Sequence, residues 1–390
     1  MVEWKEMWQV TTWDKKFSGV DKAMQPKVIK YHYYLANELS ELERQNGDIR
    51  ILYTTDKIAF ADSADVDGNI SEGEVVAIPW GGNVTIKYYK GKFVTADNRI
   101  ATSNNTNYLN NKFLYYWMLS QTDLISSFYR GAGIQHPSMY KVLTMPVPIP
   151  SLSEQTRIVG ILDTFTASIE NLKEQIAERR KQYEHYRDQL LDLEGREGVV
   201  MKNLGDVCTI KNGYTPSTKN PDFWNNGTLP WFTLEDIRKN GRILSDAIKH
   251  ITPLGVKKGG LFPKQSIIVS TTATIGEYAL IETDFLCNQQ ITCLSIKEVY
   301  KDFLLSKYLY YLSDGIGKWC QRNVNGGGSL LIVSTSKINL LPIPIPSIDE
   351  QSRIVSILDT FEASIANLEA QLKEREKQYE YYRNKLLTFE

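Results

Sequence analysis

Hydrophobic residues recur at alternating steps of four and three over two long stretches of the chain. In the first, Ile158, Leu162, Phe165, Ile169, Leu172, Ile176, Arg179, Tyr183, Tyr186 and Leu190 fall on one line of a helix. In the second, the line is Ile354, Leu358, Phe361, Ile365, Leu368, Leu372, Arg375, Tyr379, Tyr382 and Leu386. A 3.5-residue repeat is narrower than the apolar stripe of an ordinary surface helix and predicts a coiled-coil seam. Each helix is the natural partner of the other, with Arg179 and Arg375 as polar seam positions that help set register.

The two stretches are copies. At a constant offset of 196 residues, 146–194 and 342–390 are identical at 32 of 49 positions. Each copy opens on alternating prolines: Pro146, Pro148 and Pro150, then Pro342, Pro344 and Pro346. Proline fixes φ and biases the preceding residue toward extended geometry, so each run predicts a stiff, non-helical strut. Helices are expected to start behind Ser151 and Ser153 ahead of Glu154, and behind Ser347 and Asp349 ahead of Glu350, which suit capping and first-turn positions.

The segments before each copy mix short β-like runs with helical pieces. In 1–145, Ile49–Thr55, Gly73–Pro79, Val84–Tyr89 and Lys92–Thr95 read as strands and Asn111–Tyr129 as helix, followed by the Gly131-Ala-Gly133 loop. In 200–341, Asp206–Ile210, Ser266–Ser270, Tyr278–Ile281 and Ile291–Ile296 read as strands and Lys301–Leu312 as helix, followed by an Asn325-Gly-Gly-Gly328 loop. Both predict diverged copies of one α+β module. The expected organisation is 1–145 first module, 146–199 strut and helix, 200–341 second module, 342–390 strut and helix. Only Gly195-Arg-Glu-Gly198 joins the first helix to the second module, so the helices are expected to pack antiparallel with approximate two-fold symmetry. A run of about 33 helical residues would then hold the modules roughly 50 Å apart.

Composition narrows the function classes. The chain is 42% hydrophobic and 23% charged over 390 residues, and no apolar run approaches membrane-spanning length, so a cytoplasmic protein is expected. The net charge of −1 is unevenly spread. Residues 200–341 carry 16 basic and 11 acidic side chains, whereas 151–199 carry 7 and 10 and 342–390 carry 6 and 9; residues 1–145 balance at 16 each. The helices hold the negative charge, and the second module, at +5, is compatible with phosphate contact. Cys208, Cys287, Cys293 and Cys320 lack paired metal-ligand spacing, and His32, His136, His185 and His250 are scattered, so no metal and no catalytic centre are expected.

Two similar, non-identical modules at a fixed separation suit a duplex target with two unlike half-sites, because successive major-groove faces recur about 34–36 Å apart. The arrangement resembles the specificity subunit of type I restriction-modification enzymes over essentially the whole chain. The resemblance is carried by Pro148-Ile-Pro150-Ser-Leu-Ser-Glu-Gln155 and Pro344-Ile-Pro346-Ser-Ile-Asp-Glu-Gln351, followed by Arg157-Ile and Arg353-Ile. In the second module it is carried by Lys211-Asn-Gly-Tyr-Thr-Pro216, Leu229-Pro-Trp231 and Ser270-Thr-Thr-Ala-Thr-Ile-Gly276. The first module lacks a Gly-Tyr-Thr-Pro match.

The resemblance implies a non-catalytic protein that binds double-stranded DNA, one half-site per recognition domain. It implies that the coiled coil sets the spacer and that two methyltransferase subunits dock on it, bringing S-adenosylmethionine and methylating adenine N6. Motor-nuclease subunits would complete a restriction complex, and the chain would hold no cofactor of its own. A methyltransferase carrying its own recognition domains is the main alternative. Asn220-Pro-Asp-Phe223 lacks the second proline of an adenine-holding Asn-Pro-Pro-aromatic motif, and no glycine-rich cofactor turn accompanies it. Gly326-Gly-Gly328 lacks the Lys-Ser/Thr of a phosphate-binding loop. A coiled-coil scaffold with two protein-binding domains stays open.

Groove reading needs side chains that reach base edges, and positioning needs phosphate partners. The candidates in the second module are Lys211, Tyr214, Thr215, Ser217, Lys219, Trp231, Thr233, Thr271, Thr272, Thr274, Asn288, Gln289 and Gln290. In the first module, Trp80, Gly81, Gly82 and Asn83 stand in the place of Thr271–Thr274. Lys87 and Lys90 follow on a strand, and Asn98 and Arg99 parallel Gln289 and Gln290. Tyr108, Tyr115, Tyr116 and Trp117 are expected in the core.

Overall fold

The computed structural model describes residues 2–66, 68–325 and 331–389. The chain forms two compact units, one of residues 1–174 with 369–390, the other of 175–368. Each unit holds one module and parts of both long helices, Leu152–Leu191 and Ile348–Leu387.

The first unit is built on a seven-stranded mixed sheet, ordered Thr11–Trp13, Asn98–Ser103, Ser71–Pro79, Lys87–Thr95, Ile49–Leu52, Ile58–Ala61 and Glu43–Arg44. Residues 84–89 and 92–95, expected as two strands, form one, Lys87–Thr95. Its ladder with Ser71–Pro79 runs unbroken through Gly73 opposite Gly91, where local sequence suggests an interruption. The segment 111–129, expected as one helix, is helical at Asn111–Ser120 and again at Thr122–Ser126, and Tyr129–Arg130 then pairs with His136–Pro137. Phe113, Leu114, Tyr116, Trp117 and Met118 are buried with Val76, Ile78 and Ala101 in a core that also takes Ile158, Leu162 and Leu387 from the long helices.

The second unit repeats this plan on a five-stranded sheet, ordered Cys208–Asn212, Ile291–Ile296, Ser266–Ser270, Tyr278–Ile281 and Ile243–Leu244. Leu204–Val207, read partly as strand, is a helical turn. The module helix runs Ser306–Arg322, later than expected, and Tyr308, Leu309, Tyr311 and Ile316 bury one face beside Ile354 and Leu358. Apart from Asn325, the glycine loop expected at 325–328 lies outside the described residues.

The proline struts are extended, and each is half of a two-stranded antiparallel ladder. Pro146–Ile149 pairs with Glu3–Glu6, and Pro342–Ile345 with Val200–Asn203. Because proline has no N–H, the residues between the prolines must make the cross-strand bonds, so period-two prolines turn one edge blank. Sequence alone hides this, since each strut's partner is the distant start of its module.

Within each unit the long helices pack antiparallel along the expected seam. In the first, Phe165 stacks on Tyr382 at 5.3 Å and 28°, tilts against Tyr379 at 6.4 Å, and has the Arg375 guanidinium 5.8 Å from its ring. In the second, Phe361 stacks on Tyr186 at 5.5 Å and 28°, meets Tyr183 at 6.4 Å, and has Arg179 at 5.9 Å. The seam arginines therefore keep their charge over aromatic faces, where it is attracted to the ring. Ser151 and Ser347 accept from the amides of Glu154 and Glu350, both at 3.3 Å, which caps the helices as expected.

Each module is fastened to its helix start by a buried glutamine. Gln155 Oε1 accepts from Asn110 N at 2.8 Å, and its Nε2 donates to the carbonyls of Tyr108 at 2.8 Å and Pro150 at 2.9 Å. Gln351 repeats the set: Leu305 N at 3.0 Å, and the carbonyls of Phe303 at 2.8 Å and Pro346 at 2.9 Å. Two turns further, Asp163 takes the Tyr116 hydroxyl at 2.6 Å and the Lys112 ammonium at 2.8 Å. Asp359 takes Tyr311 and, at 3.1 Å, Lys307. Tyr116, expected only as core, is also a fastener.

Candidate nucleic-acid interface

Strand register fixes which residues of the two modules correspond. Pro79 pairs with Asn98 as Ser270 pairs with Ile291, and Trp13 pairs with Ala101 as Ile210 pairs with Leu294. The Trp80 amide donates to the Asp97 carbonyl at 3.1 Å, and the Thr271 amide donates to the Gln290 carbonyl at 2.9 Å. The Trp80–Asn83 loop thus occupies the place of Thr271–Thr274, as expected. Asp97, and not Asn98 or Arg99, stands opposite Gln290.

That register moves two candidates off the surface. Asn98 is fully buried, and its Nδ2 donates to Leu52 O at 2.9 Å and Thr95 Oγ1 at 3.1 Å. Arg99 is 3% exposed, pairs with Asp97 at 2.7 Å, and lies 3.8 Å from the Trp80 ring. The same Trp80 ring meets His136 at 4.8 Å, and its carbonyl accepts from His136 Nδ1 at 2.8 Å. Asn98 and Arg99 therefore hold the loop from within, and Trp80 is engaged by two neighbours. Gly81 packs tightly, since a Cβ there would sit 2.7 Å from Ile134, while Gly82, at φ +87°, and Asn83 are exposed. Lys90 is exposed beside Glu74 at 3.5 Å. Lys87 is half-buried, donating to Thr85 Oγ1 at 2.7 Å and Thr54 O at 3.3 Å, and burial lowers its pKa to about 8.

In the second module three segments converge. Tyr214 donates its amide to Cys287 O at 2.7 Å, Thr215 bonds the side chain of exposed Gln289, and the Thr271 hydroxyl pairs with Thr292 at 2.7 Å. The Tyr214 ring lies under the Lys257 ammonium at 4.3 Å, and its hydroxyl accepts from Lys257 N at 2.8 Å. Lys211, Ser217, Lys219, Thr274, Lys257 and Lys258 are exposed around this centre. The lysines among them have no acidic partner among the described residues. Thr272 is half-buried and bridges to Ile332, beside Ala273 at φ +65°.

Other candidates are structural. Thr271 is 2% and Trp231 6% exposed, and the Trp231 indole donates to Tyr214 O at 3.0 Å. Thr233 caps a helix, with Asp236 accepting from its amide at 2.7 Å and its hydroxyl at 2.9 Å. Asn288 accepts from Gln290 N at 3.0 Å and shapes the turn that presents Gln289. All four cysteines are buried thiols, and burial pushes Cys208 and Cys293 up to about 12. Among the described residues no group of His, Cys, Asp and Glu has metal-site geometry, and no helix is long and apolar enough to cross a membrane.

Lys257 and Lys258 were not among the sequence candidates, nor was the first module's counterpart of Lys211–Lys219. By register, Asp14 stands where Lys211 stands and Phe17 where Tyr214 stands. No shared motif marks the correspondence, although the lysines at 15, 16, 22, 27 and 30 are a visible signal.

Comparison with known proteins agrees with this architecture. The chain spans about half the length of the Type I restriction enzyme EcoprrI specificity subunit of Escherichia coli, with 44% identity over 196 residues, 48% of this chain and 49% of that protein. It is 36% identical over 296 residues to the EcoR124I/EcoR124II specificity subunit of the same organism, covering 71% of this chain and 70% of that one. It shares its fold with the crystallised S subunit of a type I restriction-modification system from M. genitalium, at a TM-score of 0.62 and 15% identity over 100% and 97% of the two chains. Residues 26–179 and 196–377 match the family described as the type I restriction modification DNA specificity domain, so the chain belongs to the specificity subunits of type I restriction-modification enzymes.

Proposed function

We propose that this chain reads a bipartite, asymmetric site on double-stranded DNA, one half per module, and that the long helices set the spacing between the halves. It carries two methyltransferase subunits, which bind S-adenosylmethionine and modify adenine, and motor-nuclease subunits join them to restrict unmodified DNA. The chain itself contributes recognition and no catalysis.

One observation supports this most directly. The same fastening, Gln and Asp on the helix with Lys and Tyr on the module, is built twice, while the exposed loops it supports differ. Equal fastening with unequal loops is what two half-sites of different sequence require. Exposed, unpaired lysines around Tyr214 supply phosphate contacts, and Gln289, held by Thr215, suits an adenine edge.

The test is a mobility shift of the chain with its methyltransferase on duplex DNA, coupled to sequencing of methylated adenines in a host expressing both. A salt-dependent, sequence-selective shift and methylation at one split motif are expected. Absence of any selective shift would leave a coiled-coil scaffold as the better reading.

A further inference from the structure

The first module has a lysine-rich loop, 14–34, that none of the proposed contacts uses. It leaves the edge strand Thr11–Trp13 and is pinned at both ends by one carboxylate. Buried Asp14 accepts from Ile100 N at 3.0 Å and from the Tyr33 hydroxyl, so the beginning and the end of the loop meet on it. A second pin lies inside. Gln25, 5% exposed, accepts from Phe17 N at 2.8 Å and donates to Lys15 O at 2.9 Å. Backbone bonds from Ile29 N to Trp13 O and from Tyr34 N to Thr95 O, both 3.0 Å, tie the loop to the edge strand and to the end of the interior strand Lys87–Thr95.

The cations on this frame divide by role. Lys15 is spent internally, 3.3 Å from Asp97 and 4.3 Å from the Tyr33 ring. Lys16, Lys22, Lys27 and Lys30 are exposed and have no acidic partner among the described residues. Of the acids within the loop, Asp14 is buried, and Asp21 accepts from Ala23 N at 2.9 Å in its own turn. The second module puts Lys211 at the end of the corresponding edge strand and Lys219 on the loop that leaves it, both without an acidic partner among the described residues and with no sequence in common with loop 14–34. Two unrelated loops at one place in the fold, both held rigid and both presenting unpaired cations, share a requirement for anions at that place.

We infer that loop 14–34 is the first module's phosphate-contacting surface, carried by Lys16, Lys22, Lys27 and Lys30. The inference rests on the DNA reading above and adds to it where the first half-site is gripped. These lysines position the duplex and do not read it, because a flexible ammonium on a phosphate carries no base information.

The experiment compares the full chain with a variant carrying K16A, K22A, K27A and K30A, and with a control carrying K181A and K377A on the long helices. The probe is a mixed-sequence duplex of about 30 base pairs, followed by fluorescence anisotropy across a salt series. Each lysine that neutralises a phosphate adds about 0.9 to the slope of log affinity against log salt. The loop variant should lose about 3.6 from that slope and bind at least tenfold more weakly at low salt, with the control unchanged. Wild-type slope and affinity in the loop variant would overturn the assignment while leaving DNA binding intact. If the wild-type chain shows no salt-dependent binding, the DNA reading falls and takes this assignment with it.

Discussion

The two modules are most alike where they meet the long helices and least alike in the sheet and the loops it carries. Gln155 and Gln351 make the same three hydrogen bonds, and Asp163 and Asp359 take the same Tyr-Lys pair. At the opposite extreme, Lys87 stands in the ladder where the second module has fully buried Ala279, and Asp14 stands where it has Lys211. The fastening has one partner geometry to keep, whereas the loops face whatever the target presents. One fastener departs from the rule. Arg187 is paired with Asp188 at 2.7 Å and with Asp314 of the module helix at 3.2 Å, but in the first unit Leu119 takes the place of Asp314. There Arg383 keeps a buried Nε without a partner among the described residues.

Exchanging residues 200–341 for the equivalent module of a relative breaks the comparison most severely. The methylated motif should change completely in one half and not in the other, and altered bases in both halves would refute independent modules. Next, Gln155→Leu and Gln351→Leu each strand one amide and two carbonyls. Each should cost about 2–4 kcal/mol, read as equal falls in thermal midpoint. Unequal falls would show that the duplicated fastening has unequal duties.

Smaller effects sharpen the exception. Asp314→Leu should destabilise by about 1–2 kcal/mol by leaving Arg187 only its exposed neighbour. The reciprocal Leu119→Asp should gain up to about 1 kcal/mol by giving Arg383 a carboxylate, and denaturant melts measure both. Smallest is Lys87→Met. Burial holds the folded-state pKa near 8, below the ordinary 10.5, so the folded state resists the charged form. The penalty is complete below about pH 8 and fades as pH rises toward 10.5. The variant should therefore melt higher than wild type at pH 7, with the gain gone near pH 10.5; a gain constant across that range would mean the ammonium is not the cause.

The duplication and the seam were legible because both are periodic, and periodicity survives without knowing the partner. The central strands Ser266–Ser270, Tyr278–Ile281 and Ile291–Ile296 were legible to the residue because each is a short run rich in apolar and β-branched residues. What failed depended on partners far away in the chain. The struts are strands only because Glu3–Glu6 and Val200–Asn203 lie beside them, and Asn98 is buried only because strand register sets it against Pro79. Asn98 and Arg99 lie two residues beyond the positions that register sets against Gln289 and Gln290, which places them in the interior and not on the loop. Loop 14–34 was missed because the second module's Gly-Tyr-Thr-Pro has no echo there, although its lysines could have been counted.

The proline-edged ladders also bear on the order of folding. Glu3–Glu6 precedes its partner Pro146–Ile149 by well over a hundred residues, and Gln155 comes later still. Closing so long a loop costs entropy, and that cost falls once the intervening sheet has folded and brought the ends together. Such a ladder is expected to close late in folding, so that the first long helix gains its anchor from a folded module, and Val200–Asn203 with Pro342–Ile345 repeats the arrangement in the second.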